Sequence, residues 1–299
     1  MKPKRNAWRA WFILLAVIGL SLGGYGVYAG DRPAPLPLKK KIFEGVTYRR
    51  MVRLSPRLAI IHVLTVDTRA KGLYLFVTPR DNAEGDPLDA RTTSQFLQEY
   101  DLQVAINGDG FTPWWSHTPL DYYPHAGDPV TPNGYSASGG IIYARGLADD
   151  SPEPTLFISR RNALTFNKMP GRVYHAISGD RMLVQGGQPV ADLDNLIPHP
   201  RTAIGASANG RWLYLVVVDG RQPFYSDGMT FAELAGLLAD LGAANAMSLD
   251  GGGSSTLVVE GPDGLPQLLN SPIDQYIPGH ERPVANHFGI YLKSAHADD

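Results

Sequence analysis

The sequence predicts an α+β fold in which a mixed β-sheet core carries a few helices. Two observations support this prediction. Alternating, β-branched segments bounded by turn residues recur along the chain, whereas only two internal segments carry clear helix signals. The 299 residues include 32 Gly and 24 Pro, a composition that favours a strand-rich and loop-rich domain over a helical bundle.

Two segments predict helices, and each leads directly into a predicted strand. The first is TTSQFLQEY (92–100), and the second is TFAELAGLLADLG, in which Thr230 and Glu233 match a capping box and Gly242 offers a C-terminal stop. Few helices among many strands favour an α+β fold with a mixed sheet. The eight predicted strands are LAIIHVLTVD, GLYLFVTP, LQVAING, GGIIYARG, PTLFISR, ALTFN, WLYLVVVDG and STLVVEG.

The first 29 residues have the pattern of an export segment. Four cations (Lys2, Lys4, Arg5 and Arg9) precede the apolar stretch FILLAVIGLSL. We expect a cleaved signal peptide, and the alternative is an uncleaved anchor through residues 11–29 in the inner membrane. In both cases the cations place the amino end in the cytoplasm and the rest of the chain in the periplasm or outside the cell.

Composition defines the remaining organisation and excludes one class of partner. We expect residues 30–41 to be a Pro-rich linker, residues 42–293 to form a single domain, and residues 294–299 to be a tail. The formal charge is −2, and without the four leader cations 23 basic residues face 29 acidic ones. Such an acidic domain is a poor candidate for nucleic-acid binding, and it is expected to meet a membrane only through its N-terminal segment.

The segment MSLDGGGSSTLVV (247–259) is the first candidate site. Asp250 ends a predicted strand, and bare glycine backbone followed by hydroxyl side chains suits phosphate oxygens. The alternative is a glycine-rich bulge that only redirects a strand. The segment lacks the lysine of a P-loop. Its candidate phosphate ligands are Gly251, Gly252, Gly253, Ser254, Ser255 and Thr256.

Further polar residues follow predicted strands or precede a helix. Asn107 and Asp109 lie in AINGDGF, where an ordinary turn is the alternative interpretation. Asp219 ends WLYLVVVD, and Ser226 and Asp227 precede the second helix, where anions bind well.

Cationic and aromatic residues complete the candidates. Arg201 in HPRTAIG offers the planar fork that binds phosphate, with a surface ion pair as the alternative. Arg282, Asn286 and His287 precede a final strand, although a lone His is more often structural. An aromatic group predicts either a sugar-stacking platform or core packing; it comprises Trp114, Trp115, Tyr122 and Tyr123.

No cofactor is predicted from the sequence. The eight His show no spacing of a transition-metal site. A calcium ion held by Asp side chains and backbone carbonyls would leave no recognisable spacing in the sequence. The binding of a divalent cation is therefore left open as an alternative.

In chain order, the segments AINGDGF, AISGDRMLVQGG, HPRTAIG and ERPVANHFGIY, together with residues 201–259, resemble the phosphodiester glycosidase family. The resemblance implies an exported bacterial member that hydrolyses the anomeric C–O bond of a sugar-1-phosphodiester in a glycan or glycolipid. It implies Asp250, Asp109 and Asp219 as candidate catalytic carboxylates and the glycine segment as the phosphate site. Two departures, Gly110 before Phe111 and the pair Asp180–Arg181, affect the expected sugar pocket.

Two other functions stay open at this point. One is a polysaccharide-binding or scaffolding module without catalysis. The other is a phosphodiesterase that cleaves the P–O bond, a reaction that usually uses paired metal ions.

Overall fold

The computed structural model describes residues 4–118, 120–146 and 153–293. The helices are α1 Lys4–Asp31, α2 Thr93–Glu99 and α3 Phe231–Asp240, and two 3-10 turns cover Gly252–Ser254 and Asp274–Tyr276. The strands are β1 Leu38–Phe43, β2 Val46–Arg53, β3 Ala59–Asp67, β4 Leu73–Val77, β5 Leu88–Asp89, β6 Val104–Asn107, β7 Phe111–Thr112, β8 Trp115–Thr118, β9 Asp121–Tyr123, β10 Pro129–Pro132, β11 Tyr135–Ser138, β12 Ile141–Arg145, β13 Thr155–Ile158, β14 Leu164–Phe166, β15 His175–Ser178, β16 Arg181–Gln185, β17 Gln188–Pro189, β18 Arg201–Ala206, β19 Trp212–Val218, β20 Asn245–Ser248, β21 Leu257–Glu260, β22 Pro266–Leu268 and β23 His287–Leu292.

Both predicted internal helices are present, and both begin at capping boxes. The Thr92 hydroxyl accepts a hydrogen bond from the Gln95 backbone N–H, and the Gln95 side-chain oxygen accepts one from the Thr92 backbone N–H. Thr230 and Glu233 form the same reciprocal pair at the start of α3. A capping box satisfies backbone N–H groups that the first turn leaves unpaired, which fixes where each helix begins.

Three sheets form most of the fold. The largest has eight strands in the order β1-β2-β3-β19-β18-β20-β16-β17. Two five-stranded sheets have the orders β22-β21-β6-β23-β4 and β12-β11-β15-β13-β14, and smaller sheets contain β5-β10-β7 and β8-β9. All eight segments that the sequence predicted as strands lie in these sheets.

The main core lies between the eight-stranded sheet and the two five-stranded sheets. Alternate residues of each strand face it, as the strand period of two requires, so Leu64 and Leu215 meet Ile106 and Ile290 in one buried cluster. The opposite face of the eight-stranded sheet is covered by α3, with Val216 packed near Leu234. Helix α2 covers the outer face of the β6 sheet, which makes a layered helix–sheet–sheet–helix arrangement.

The sheets differ from the mixed sheet that the sequence indicated. Every strand pairing in the described residues is antiparallel, and the parallel contact found there is the isolated bridge Ile273–His280. Helix α3 links β19 to β20, which run in the same direction but have the antiparallel strand β18 between them. The connection that contains β5 and α2 leads from β4 to β6, which likewise run in the same direction and are separated by β23. The fold is therefore mainly β with few helices.

The N-terminal segment forms α1, Lys4–Asp31. Among the helices of the described residues, none is long and apolar enough to cross a membrane. The tail, residues 294–299, lies outside the described residues.

Candidate active site

The glycine segment lies where the eight-stranded sheet meets the β6 sheet, and Asn107 joins the two. Its side-chain amide donates to the Asp250 carbonyl oxygen at 2.8 Å. The side-chain oxygen of Asn107 accepts hydrogen bonds from the Thr202 hydroxyl at 2.7 Å and from the Thr256 backbone N–H at 3.1 Å. These hydrogen bonds hold both ends of the glycine segment. Because Asn107 is fully buried, it does not face a ligand.

Each of the three glycines lies against a different neighbour that a β-carbon would contact. A Cβ on Gly251 would lie 3.0 Å from the Pro200 carbonyl oxygen and 3.9 Å from Cδ of Arg201. A Cβ on Gly252 would lie 3.0 Å from Nη1 of Arg221, and one on Gly253 would lie 2.4 Å from Nη2 of Arg282. The guanidinium groups of Arg221 and Arg282 and the side-chain stem of Arg201 therefore lie against the bare glycine backbone. All three arginines line one cavity with these glycines, and we call Gly251–Gly253 with Arg201, Arg221 and Arg282 the arginine cradle.

The cradle arginines differ in how they are held. Arg201 lies over the Phe231 ring at 3.6 Å and donates to the Met229 carbonyl oxygen at 3.1 Å. Its burial lowers the pKa of Arg201 to about 10, so it stays cationic at neutral pH. Arg282 is fixed by Asp274 at 2.7 Å. Within the described residues neither Arg201 nor Arg221 forms an ion pair, which leaves their charges available to an anion.

Asp250 is half-buried at the edge of the cradle. Burial raises its pKa above the ordinary carboxyl value, while a hydrogen bond from Ser254 and the charge of Arg282 act in the opposite direction. The nearby carboxylate of Asp180 raises the pKa further. Asp250 and Asp180 are the two carboxylates that line the cavity described next.

A cavity of about 310 Å³ opens over the cradle. Besides the cradle and the two carboxylates, its walls include Trp114, His199 and Phe231. A second, outer cavity of about 740 Å³ shares His199 and Arg221 with the first. Nε of Arg221 donates to Nδ1 of His199 at 3.3 Å, and burial and the adjacent arginine charges lower the pKa of His199. That imidazole is therefore neutral at neutral pH.

Asp109 lies apart from the cavity walls and is sealed by backbone donors. Its two carboxylate oxygens accept hydrogen bonds from the backbone N–H groups of Gly110 and Gly134, each at 2.8 Å. Only 1% of the residue is exposed. Burial and the neighbouring Glu153 raise the pKa of Asp109 well above its ordinary value.

Asp219 is sealed in a different buried network. One carboxylate oxygen accepts the Ser271 backbone N–H at 2.7 Å and the Asn270 amide at 3.2 Å, and the other lies 3.1 Å from Nε2 of His62. Nδ1 of His62 in turn contacts the Tyr48 hydroxyl at 2.8 Å. This network is hereafter the Asp219 cluster.

Ser226 and Asp227 are consecutive in the chain but have different surroundings. The Ser226 hydroxyl is buried, donates to the Asp219 carbonyl oxygen at 2.6 Å and accepts the Ile60 backbone N–H. Asp227 is exposed and lines the outer cavity. In the glycine segment, the hydroxyls of Ser255 and Thr256 are buried without a hydrogen-bond partner among the described residues.

Asn286 and His287 support the strand ends and lie outside the cavity walls. The Asn286 side-chain oxygen accepts the Asp109 backbone N–H at 2.8 Å, and its amide donates to Ser136. His287 is fully buried and stacks on Phe96 with ring centroids 4.6 Å apart. Burial lowers the pKa of His287 well below its ordinary value.

Sequence reasoning did not select several residues that line the cavity: Arg221, His199 and the carboxylate of Asp180. Arg221 lies within residues 201–259 and His199 within HPRTAIG, two segments that carry the family resemblance, and Asp180 is one of the departures from the family pattern. Across the described residues, no group of three or more His, Cys, Asp or Glu side chains is arranged to hold a metal ion.

Comparison with known proteins gives both family and fold. A family model described as phosphodiester glycosidase matches residues 100–291. A segment of 71 residues is 45% identical to an uncharacterized SPbeta prophage-derived protein, YomE, of Bacillus subtilis strain 168; it spans 24% of this chain and 10% of that relative.

Two solved structures share the fold. The catalytic domain of zebrafish N-acetylglucosamine-1-phosphodiester alpha-N-acetylglucosaminidase, auto-inhibited by its pro-peptide, aligns over 88% of this chain and 86% of its own, with a TM-score of 0.58 and 19% identity. A hypothetical protein from Synechocystis aligns over 87% of this chain and 64% of its own, with a TM-score of 0.56 and 16% identity. With the family model matching most of its length, the chain belongs to the phosphodiester glycosidase family.

Proposed function

We propose that this protein is an exported glycosidase that hydrolyses the anomeric C–O bond of sugar-1-phosphodiesters. Its products are a free sugar and a phosphomonoester on the aglycone. The arginine cradle beside Asp250 is the observation that carries the proposal. Three guanidinium groups and three bare glycines surround a small cavity, and that combination suits the oxygens of one phosphodiester.

The cradle supports departure of the phosphate. As the C–O bond breaks, negative charge develops on the bridging oxygen, and preorganised cations next to it stabilise that charge. Arg201 and Arg221 lack competing carboxylate partners among the described residues, so their charge is directed at the ligand. A phosphate leaving group needs less protonation than an alcohol, which reduces the demand for a general acid.

The carboxylates supply the other half of the reaction. Glycosidases use a pair of carboxyl groups to stabilise an oxocarbenium-like centre and to activate water or act as a nucleophile. Asp250 is our first candidate because it lines the cavity and directly precedes the cradle glycines. Asp180 is the candidate partner, in place of Asp109 and Asp219, whose carboxylates are occupied by buried hydrogen bonds.

The family and the leader segment support a proposal for the substrate class and for the location of the protein. We propose a sugar-phosphate-containing glycan or glycolipid of the envelope or extracellular polysaccharide, reached after export to the periplasm or beyond. The cations before the apolar stretch at the N-terminus support export. We propose no organic cofactor, and a calcium ion is tested directly in the assay below.

The test is hydrolysis in ¹⁸O-labelled water by the purified full-length chain. The substrates are UDP-N-acetylglucosamine and p-nitrophenyl or methyl phosphodiesters of α-linked sugars, with and without chelator. We expect free sugar that carries the label. Asp250→Asn should lower the rate by about a thousandfold, a typical effect of losing a positioned carboxylate, with an unchanged melting temperature. Asp240→Asn, exposed at the end of α3, is the matched control and should keep full activity.

Each alternative function gives a different result in this assay. Label in the phosphate would show P–O cleavage and replace the glycosidase by a phosphodiesterase. Release that is undiminished in Asp250→Asn would remove Asp250 from the chemistry. No release from any sugar would favour a polysaccharide-binding module, and loss of release with chelator would add a metal ion.

A further inference from the structure

We propose that the β8–β9 hairpin is the sugar-recognition element of this site, with Trp114 as the ring that packs on the sugar next to the phosphate. The inference rests on the proposed function and goes beyond it by assigning the two sides of the site. The ligand class is a pyranose 1-phosphate, held by its phosphate in the arginine cradle and by its apolar face on the indole.

Trp114 and Trp115 are too exposed to be core residues. Trp114 is 48% exposed and Trp115 is 37% exposed. Every residue of β8 is exposed as well. Large aromatic side chains that stay at the surface beside a polar cavity are typical of ligand contacts, because burying them on a ligand recovers apolar area that folding leaves in water.

Trp114 joins the hairpin to the cradle. It lines the 310 Å³ cavity, and its ring faces the Arg282 guanidinium at 5.0 Å from the ring centroid. Nη1 of Arg282 also contacts the Ser254 hydroxyl at 3.3 Å, at the end of the glycine turn. A sugar attached to a phosphate in the cradle therefore has the indole as an adjacent wall.

The hairpin is anchored to the same turn that fixes the cradle. The Ser116 hydroxyl donates to the Gln275 side-chain oxygen at 3.1 Å. Gln275 directly follows Asp274, which holds Arg282. Within the hairpin, Trp115 stacks against Tyr123 with ring centroids 6.0 Å apart. The aromatic surface is therefore ordered before a ligand arrives, which limits the entropy lost on binding.

The outer cavity is the competing location for the sugar. Its lining includes Tyr276, which is 71% exposed, and it meets the cradle through His199 and Arg221. Trp114 lines the cradle cavity itself, whereas Tyr276 does not. We therefore assign the sugar to the Trp114 side and the aglycone to the outer cavity.

The test is isothermal titration of the full-length chain with two probes, α-N-acetylglucosamine 1-phosphate and inorganic phosphate. We expect the wild type to bind the sugar phosphate more tightly. Trp114→Ala should weaken the sugar phosphate about tenfold while inorganic phosphate changes less than twofold. Trp114→Tyr should restore most of the loss. Tyr276→Ala, the matched exposed aromatic of the outer cavity, should leave both affinities unchanged.

The outcomes separate the two proposals. If the wild type binds both probes equally, or if Trp114→Ala has no effect, the hairpin assignment is wrong while the phosphate site stands. Loss of sugar-phosphate affinity in Tyr276→Ala alone would move the sugar to the outer cavity and also overturn the assignment. If the wild type binds neither probe, the arginine cradle fails and both proposals fall.

Discussion

Two aspartates at the same edge of the eight-stranded sheet have opposite surroundings. Asp250 follows β20 and Asp219 follows β19, with β18 between these strands. The Asp219 carboxylate accepts three buried contacts, from Ser271, Asn270 and His62. Asp250 faces a cavity in which two arginines lack ion pairs within the described residues.

The comparison shows what separates a candidate chemical group from a structural one at a strand end. Burial alone does not separate the two kinds of aspartate, because burial raises the pKa of Asp109 as well as that of Asp250. Access to a cavity and uncommitted hydrogen-bonding capacity do distinguish them. The Asp219 cluster satisfies its polar groups within the protein, whereas the arginine cradle keeps two cations without an ion pair in the described residues.

The largest effect that would test this contrast is on stability. Asp219→Ala leaves several buried donors without an acceptor, and we expect it to lower the free energy of unfolding by about 3 kcal/mol, measured by urea denaturation. The exposed Asp227→Ala is the control and should change stability by less than about 0.5 kcal/mol. Full stability in Asp219→Ala would show that the cluster is not structural and would reopen a catalytic role for Asp219.

A smaller effect is expected on ligand affinity when the cradle loses one cation. Arg221→Ala should weaken the binding of inorganic phosphate by roughly ten- to a hundredfold, since a charge-assisted hydrogen bond contributes about 1.5–3 kcal/mol. Isothermal titration measures it. Arg211→Ala removes an exposed arginine that pairs with Asp67, and its phosphate affinity should match the wild type. Equal affinity in both variants would remove Arg221 from the cradle.

The smallest effect is on pH dependence. In the proposed reaction Asp250 acts as the charged carboxylate, so we expect activity to fall as pH decreases through its pKa. That pKa is raised by burial and held down in part by the Ser254 hydrogen bond. Ser254→Ala should therefore move the acidic limb of kcat/KM to higher pH. A limb that stays in place or moves to lower pH would mean that Asp250 is not the titrating group.

Local patterns in the sequence predicted much of the secondary structure. The Thr230–Glu233 capping box depends on residues three positions apart, so the start of α3 was predicted where it is observed. The segment predicted as the first helix, 92–100, contains α2. Strand order was harder to predict, because β23 lies between β4 and β6 in the sheet although it is far from both in the chain, and β18 lies between β19 and β20 although it precedes both. That long-range strand order decides whether two parallel strands joined through a helix lie side by side or have a third strand between them.

The site was predicted in part for the same reason. Asp250 and its glycines are contiguous, and the neighbouring apolar strands indicated a loop at a sheet edge. Arg221 was not selected because its approach to Gly252 depends on the turn after β19, where Arg221 adopts a φ of 56°. The sequence does not distinguish Asp109 from Asp250, because each follows a predicted strand. One of the two backbone N–H groups that occupy the Asp109 carboxylate belongs to Gly134, 25 residues away in the chain.

The hydrogen bonds of Asn107 connect the glycine segment to both sheets, and this has a consequence for how the protein fails on heating. The backbone N–H of Asp250 is bound to the Gly108 carbonyl oxygen at 2.9 Å, and that of Thr256 to Asn107 at 3.1 Å. Local opening of this loop would have to break these hydrogen bonds, so its free energy should be high. Amide hydrogen exchange at these two positions should be as slow as in the central strands, and thermal inactivation should coincide with global unfolding.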